Sequence, residues 1–199
     1  MKSQIKGSIK FSLTIAVITF VLAAIFSVVS SSLLNQVMWL IGLFIVLLIV
    51  FIGVFFDMLG IAATAADEVP FHAMAAEKVP GAKEAVYIIR NADKFASFCN
   101  DVIGDISGIV SGTASAIVVL QIANLMGQGD GSSIHITLSV VLTSLVAALT
   151  VGGKAVGKFL AIHSSTTIIF FVAKVIAFIE ENLKIKILSF ANNGDNKKR

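Results

Sequence analysis

Charge is what this sequence has least of. Only 14% of its 199 residues are Asp, Glu, Lys or Arg, against roughly 25% in soluble domains. With 57% of residues hydrophobic and a mean hydropathy of +0.95, a soluble globular domain is excluded, because its core must be wrapped in charged surface. The same composition excludes disorder and fibrous repeats. Cysteine is nearly absent: Cys99 stands alone, so no intrachain disulfide can form, and no cysteine and histidine spacing fits structural zinc. His72, His135 and His163 lie too far apart along the chain to be expected at one metal. There is no phosphate loop, serine elbow or zincin motif, so the chain is not expected to be an enzyme. The two prolines, Pro70 and Pro80, both fall in a connector between apolar runs.

Those runs carry the argument. Phe11 to Leu34, Val37 to Phe56 and Ile106 to Met126 contain no charged residue, and Ile134 to Val151 contains only His135. Each is about 18 to 24 residues, enough to cross a hydrocarbon core roughly 30 Å thick. The expected fold is therefore an all-α integral membrane protein with four transmembrane helices. Lys2, Lys6 and Lys10 precede the first run, which exceeds the ~7–15 residue apolar region of a cleaved signal.

All 15 lysines and arginines fall in the leader, in the connector between the second and third runs, or from Lys154 onward. The turn at 34–36 and the loop at 127–133 have none. By the positive-inside rule both termini are expected in the cytoplasm, in a plasma (inner) membrane. Pro70 and Pro80-Gly81 divide the connector 57–98 into expected short helices at 62–69, 71–79 and 82–91, a cytoplasmic juxtamembrane collar. Gly152-Gly153 reads as a helix end. The apolar stretch 159–179 is interrupted by Ser164 to Thr167 and carries Lys174, so residues 167–190 are expected as an amphipathic helix in the cytoplasmic interface. The tail from Asn192 is expected to be disordered.

The chemistry is expected at the opening of the third span. Asp101 and Asp105 are four apart, so their carboxylates share one helical face and repel unless protonated or bridged by a cation. Asn100, Gly104, Ser107, Gly108, Ser111, Gly112 and Ser115 add a small, polar stripe, which lets another helix approach and supplies oxygen ligands. An aspartate at mid-span costs about 2.5–3.5 kcal/mol, and an intramembrane carboxylate points to function by default. The alternative is a pair of first-turn aspartates favoured by the helix dipole. Asp57, at the end of the second span, falls at the same expected membrane level; it reads either as a third ligand or as an interfacial stop. Together Asp57, Asn100, Asp101, Asp105, Ser107 and Ser111 would form an all-oxygen set suited to Mg²⁺.

Phe55-Phe56 closes a span, Ala82-Lys83 and Asp93-Lys94 follow in the belt, Gly104-Asp105 opens the next span, and Gly153-Lys154 precedes 167–179. In this order and spacing, the chain from about Trp39 to Glu181 resembles the transmembrane domain of the cyclin-M and CorB/CorC magnesium transporters. The resemblance implies a core at 37–191 (spans near 37–56, 100–126 and 134–151, juxtamembrane helices at 57–98 and 159–190), preceded by an extra span within 1–36 and followed by the tail 192–199. It also implies a homodimer and Mg²⁺ as the bound or transported ion. The paired cytoplasmic nucleotide-sensing domains of the family are not expected. Departures fall on the family's ion site: its serine is Asp57 here, its glutamate Gly60, its asparagine Asp105 after a short shift, and its Gly-Glu is Leu149-Thr150.

The expected function is a divalent cation transporter or exchanger. The alternative is a non-transporting membrane scaffold or regulatory protein whose basic collar binds a partner or anionic lipid. Beyond the lipid bilayer, expected partners are a second copy and a separate cytoplasmic regulatory protein; nucleic acid is not expected.

Overall fold

The computed structural model describes residues 2–127 and 132–183. Among them the chain forms α1 (Lys2–Leu34), α2 (Trp39–Ala65), α3 (Val69–Ala76), α4 (Ala82–Arg90), α5 (Ala92–Ser97), a π-helical segment (Phe98–Gly104), α6 (Asp105–Leu125), α7 (Ser133–His163) and α8 (Ser165–Leu183). Four helical stretches are long and apolar enough to cross a membrane: Ser12–Leu34, Trp39–Ala65, the continuous run Ala92–Leu125, and Ser133–His163. The expected ends of the interfacial helix and of the tail, beyond residue 183, lie outside the described residues.

The chain divides into two compact units. The first holds residues 1–57 and 97–157. Its core is Leu34, Val46, Val50, Ala114, Val118 and Val146, with Val102, Ile106 and Val110 in a second cluster. The turn from α1 to α2 leaves carbonyls that no helix satisfies. Gln121 of α6 meets this need, its Nε2 donating to Leu34 O at 2.7 Å and to Val37 O at 3.2 Å. α7 is capped at its start by Ser132, whose Oγ accepts the His135 N–H at 3.1 Å.

The second unit holds 58–96 and the residues from 158 onward. It packs Ala62 and Ala63, Phe71 of α3, Ala85 and Ile88 of α4, Ala161, and Ile169 and Ala173 of α8 into one cluster. Small residues bring α4 and α8 together. Gly81, at φ +86°, lies so close to α8 that a Cβ there would meet the Lys174 backbone nitrogen at 2.9 Å. Glu68, before α3, accepts hydrogen bonds from Arg90 of α4 and from His72. The Arg90 guanidinium, then His72, hold the Glu68 carboxyl below its ordinary 4.5.

Three boundaries differ from those expected. Gly152-Gly153 does not end a helix; α7 runs through both to His163, since glycine weakens a helix by only about 1 kcal/mol and Gly153 supplies a close approach described below. Residues 62–69 are not a separate helix, because nothing breaks α2 before Ala65; the break comes where Asp67 turns its carboxylate to accept the Val69 N–H at 3.1 Å. The connector also gains α5 and the π segment, which no proline or glycine marks. The break at Ser164 falls in the interruption expected there, and α8 begins one residue later.

Two outcomes follow from these contacts. Replacing Gly81 by Ala forces a left-handed backbone on a side chain with nowhere to go, and should destabilise the chain by about 1–3 kcal/mol in thermal melts in detergent. Because the Glu68 carboxyl is lowered on folding, its contribution is present above the ordinary value and is lost as pH falls through the depressed one. The Tm gap between wild type and Glu68→Gln should therefore hold at neutral pH and close in the acid range below 4.5.

Candidate functional site

Three helices of the first unit converge on one stretch of α2, at Gly53, Val54 and Asp57. Gly53 faces α6: a Cβ at this position would stand 2.8 Å from Ser107 Cβ. Val54 faces α7, where a Cβ on Gly153 would meet Val54 Cγ2 at 3.0 Å. Asp57 faces the last turn of the π segment, its Oδ1 3.7 Å from where a Cβ on Gly104 would be. Glycine at 53 and 153 is thus what lets α6 and α7 close on α2 beside the carboxylate.

Asp57 is half-buried, with its side chain 14% exposed, and it accepts a hydrogen bond at 3.2 Å from the Nζ of Lys154 of α7. The lysine reaches in from a site 32% exposed. Helix continuity through Gly152-Gly153 places Lys154 one residue past the Gly153 contact, from where its long side chain reaches Asp57.

The π segment opens α6. Asp105 donates its N–H to the carbonyls of Asn100 and Val102, five and three residues back. A π turn holds one residue more than an α turn and is retained mostly where a site needs it. Within it Cys99 is buried, and Asn100 presents an Oδ1 sealed from solvent with no hydrogen-bond partner. Ser107 and Ser111 are buried on α6. The Ser111 hydroxyl donates to Gly108 O at 2.9 Å, and Ser115 to Ser111 O at 2.7 Å; such bonds satisfy the protons and leave oxygen lone pairs free.

The small, polar stripe expected on this helix separates into two faces. Gly104, Ser107, Ser111 and Ser115 are buried, whereas Asp101, Asp105, Gly108 and Gly112 are exposed. Nothing lies within 4 Å of a Cβ built on Gly108 or Gly112. Of the six residues expected at a metal, Ser107, Ser111 and one oxygen of Asn100 are each buried and Asp57 partly so, while Asp101 and Asp105 are exposed. No group of three or more His, Cys, Asp or Glu residues is close enough to hold a metal among the described residues. His72 is taken up by Glu68 and Arg90, and His163 stacks on Phe159 with centroids 4.1 Å apart.

Sequence reasoning missed Lys154 as the partner of Asp57, and the glycines at 53 and 153 as contact points. The available signal was Gly153 followed directly by Lys154, the first lysine after the fourth apolar run.

No family model matches the chain, and no curated protein or solved structure is significantly similar to it. What fold and composition establish is the class: a multi-span, all-helical membrane protein.

Two measurements probe this crossing. Lys154→Met leaves Asp57 charged, half-buried and unpaired, and should cost about 1–2 kcal/mol; adding Asp57→Asn should recover most of that loss, since both charges are then gone. Gly53→Ala should lower thermal stability by about 1–3 kcal/mol, because Ser107 Cβ is not the movable end of a side chain.

Proposed function

We propose that the chain transports or exchanges a divalent, magnesium-type cation, and that Asp57 is the carboxylate on which this depends. The observation that supports the reading is the crossing itself: a carboxylate is held where α2, α7 and the π segment meet, and a lysine ammonium is paired with it. A hard divalent ion suits such an oxygen site, with Asn100, Ser107 and Ser111 supplying neutral oxygens and waters completing the shell. Lys154 is a compact point charge on a flexible stem. It can pair with the carboxylate when the ion is absent and withdraw when it arrives. Asp101 and Asp105, on the open face, act as an electrostatic attractor at the cytoplasmic entrance rather than as direct ligands.

In this reading both termini and the second unit lie in the cytoplasm of a cell bounded by its plasma (inner) membrane. α3, α4 and α5 form the juxtamembrane collar, and α8 lies in the interface. The likeness to the cyclin-M and CorB/CorC transmembrane domain supports the same order of parts. A second copy packs on the exposed Gly108 and Gly112 face, where small residues allow close helix contact.

One observation favours the alternative of a non-transporting scaffold or regulatory protein. Lys154 already neutralises Asp57, as a purely structural bridge would. Proteoliposome assays separate the two. A transporter should move Mg²⁺ above the rate of empty vesicles, lose at least tenfold of that flux in Asp57→Asn, and gain several degrees of Tm in millimolar Mg²⁺. Flux at the empty-vesicle level together with an unchanged Tm leaves the scaffold reading standing instead.

A further inference from the structure

The carboxylate of Asp57 already holds a cation. Nζ of Lys154 lies 3.2 Å from its Oδ1, and water is largely kept from the pair, with 14% of the aspartate side chain exposed and 32% of the lysine. The lysine is delivered by α7, which runs unbroken through Gly152-Gly153 and comes close to Val54 of α2 at Gly153, one residue earlier. A cation fixed to the backbone in this way cannot diffuse away. Its effective concentration at the carboxylate is set by the reach of its own stem. Any ion that binds Asp57 therefore has to displace it.

How readily an ion does so depends on its charge. At a given distance, attraction to a carboxylate scales with the charge of the partner. A monovalent ion brings the single charge that the ammonium already supplies, so the exchange gains nothing in attraction, and the arriving ion alone loses translational freedom. A divalent ion brings two charges to the same carboxylate. One of the magnesium kind also keeps several of its waters when bound, so this gain is not cancelled by full dehydration. The displaced ammonium has somewhere to go: it is a strongly hydrated point charge on a flexible stem, and the Lys154 side chain is partly open to solvent. With the lysine gone this bar goes too, since a free carboxylate attracts ions of either charge.

We infer that Lys154 is the specificity-determining residue of this site: a tethered cation that keeps monovalent ions off Asp57 and gives way only to a divalent one. The inference rests on the transport reading and adds to it a reason why sodium and potassium are refused. A bridge that served packing alone would make stability depend on Lys154 but would give the site no preference among ions.

The experiment compares the full chain as wild type, Lys154→Met, Lys154→Arg and Lys158→Met. Each is placed in sodium, potassium or N-methylglucamine chloride at one ionic strength of about 0.1 M, so that screening is the same throughout. Mg²⁺ flux is read in proteoliposomes, and Tm in detergent without Mg²⁺. Neither wild-type flux nor wild-type Tm should distinguish the three salts. In Lys154→Met, sodium and potassium should lower Mg²⁺ flux about three- to tenfold and raise Tm by a few degrees relative to N-methylglucamine, because monovalent ions now occupy Asp57. Lys154→Arg retains a tethered cation and should retain the indifference to salt, whatever its absolute flux. Lys158, exposed one helical turn further along α7, is the control for net charge, and Lys158→Met should also show no preference among the salts. Indifference of Lys154→Met to the choice of salt would overturn the assignment. Equal sensitivity in Lys158→Met would do so as well, by making net charge the cause. Wild-type flux at the empty-vesicle level would defeat the transport reading alone; the sodium-dependent Tm of Lys154→Met then decides whether the lysine guards the carboxylate.

Discussion

The structure depends on how closely α2 can approach its neighbours. In a bilayer, lipid tails are as apolar as Leu or Ile, so helices gain little from hiding apolar surface from one another, and contact distance becomes the main source of attraction. Along α2 that distance is set by glycine. Gly42 lies where a Cβ would meet Val118 Cγ2 at 2.9 Å, and Gly53 where it would meet Ser107 Cβ at 2.8 Å. These two points, eleven residues apart on one helix, are places where α6 comes close to the α2 backbone. Gly153 does the same for α7 from the opposite partner.

Polar groups then follow from packing. Because α6 is held close at Gly42, Gln121 reaches the carbonyls of the α1–α2 turn. Because α2, α7 and the π segment are held close at Gly53 and Gly153, Asp57 has a lysine within 3.2 Å rather than open solvent. The π segment adds the residue that leaves Asn100 with an amide oxygen turned into the protein and without a partner. Burial without pairing is costly in low dielectric, and such groups are where ligands and ions gain most.

Much of the fold was legible in the chain. Apolar runs without charge give the spans, and Pro70, Pro80-Gly81 and the Ser164 interruption give α3, α4 and the start of α8 to within a few residues, whereas the helix expected at 62–69 is divided by the end of α2 at Ala65. The failures are physical. Gly152-Gly153 looked like an end because glycine favours helix termini, yet here glycine is kept inside a helix for contact with Val54. Asp101 and Asp105 are both exposed rather than packed against a neighbour; which face of a helix meets a neighbour is not written in a sequence whose every face is apolar enough for lipid.

The sequence by itself determined the class of this protein: its spans, its helices and the placement of its charges, because length, hydropathy and basic residues act locally and are read against a medium of known thickness. Only the tertiary structure decided which carboxylate is drawn inside. That depended on two glycines from distant segments, Gly53 and Gly153, closing α6 and α7 on α2. It also depended on a π turn that no residue pattern announces, since its cost is met by contacts remote in the chain.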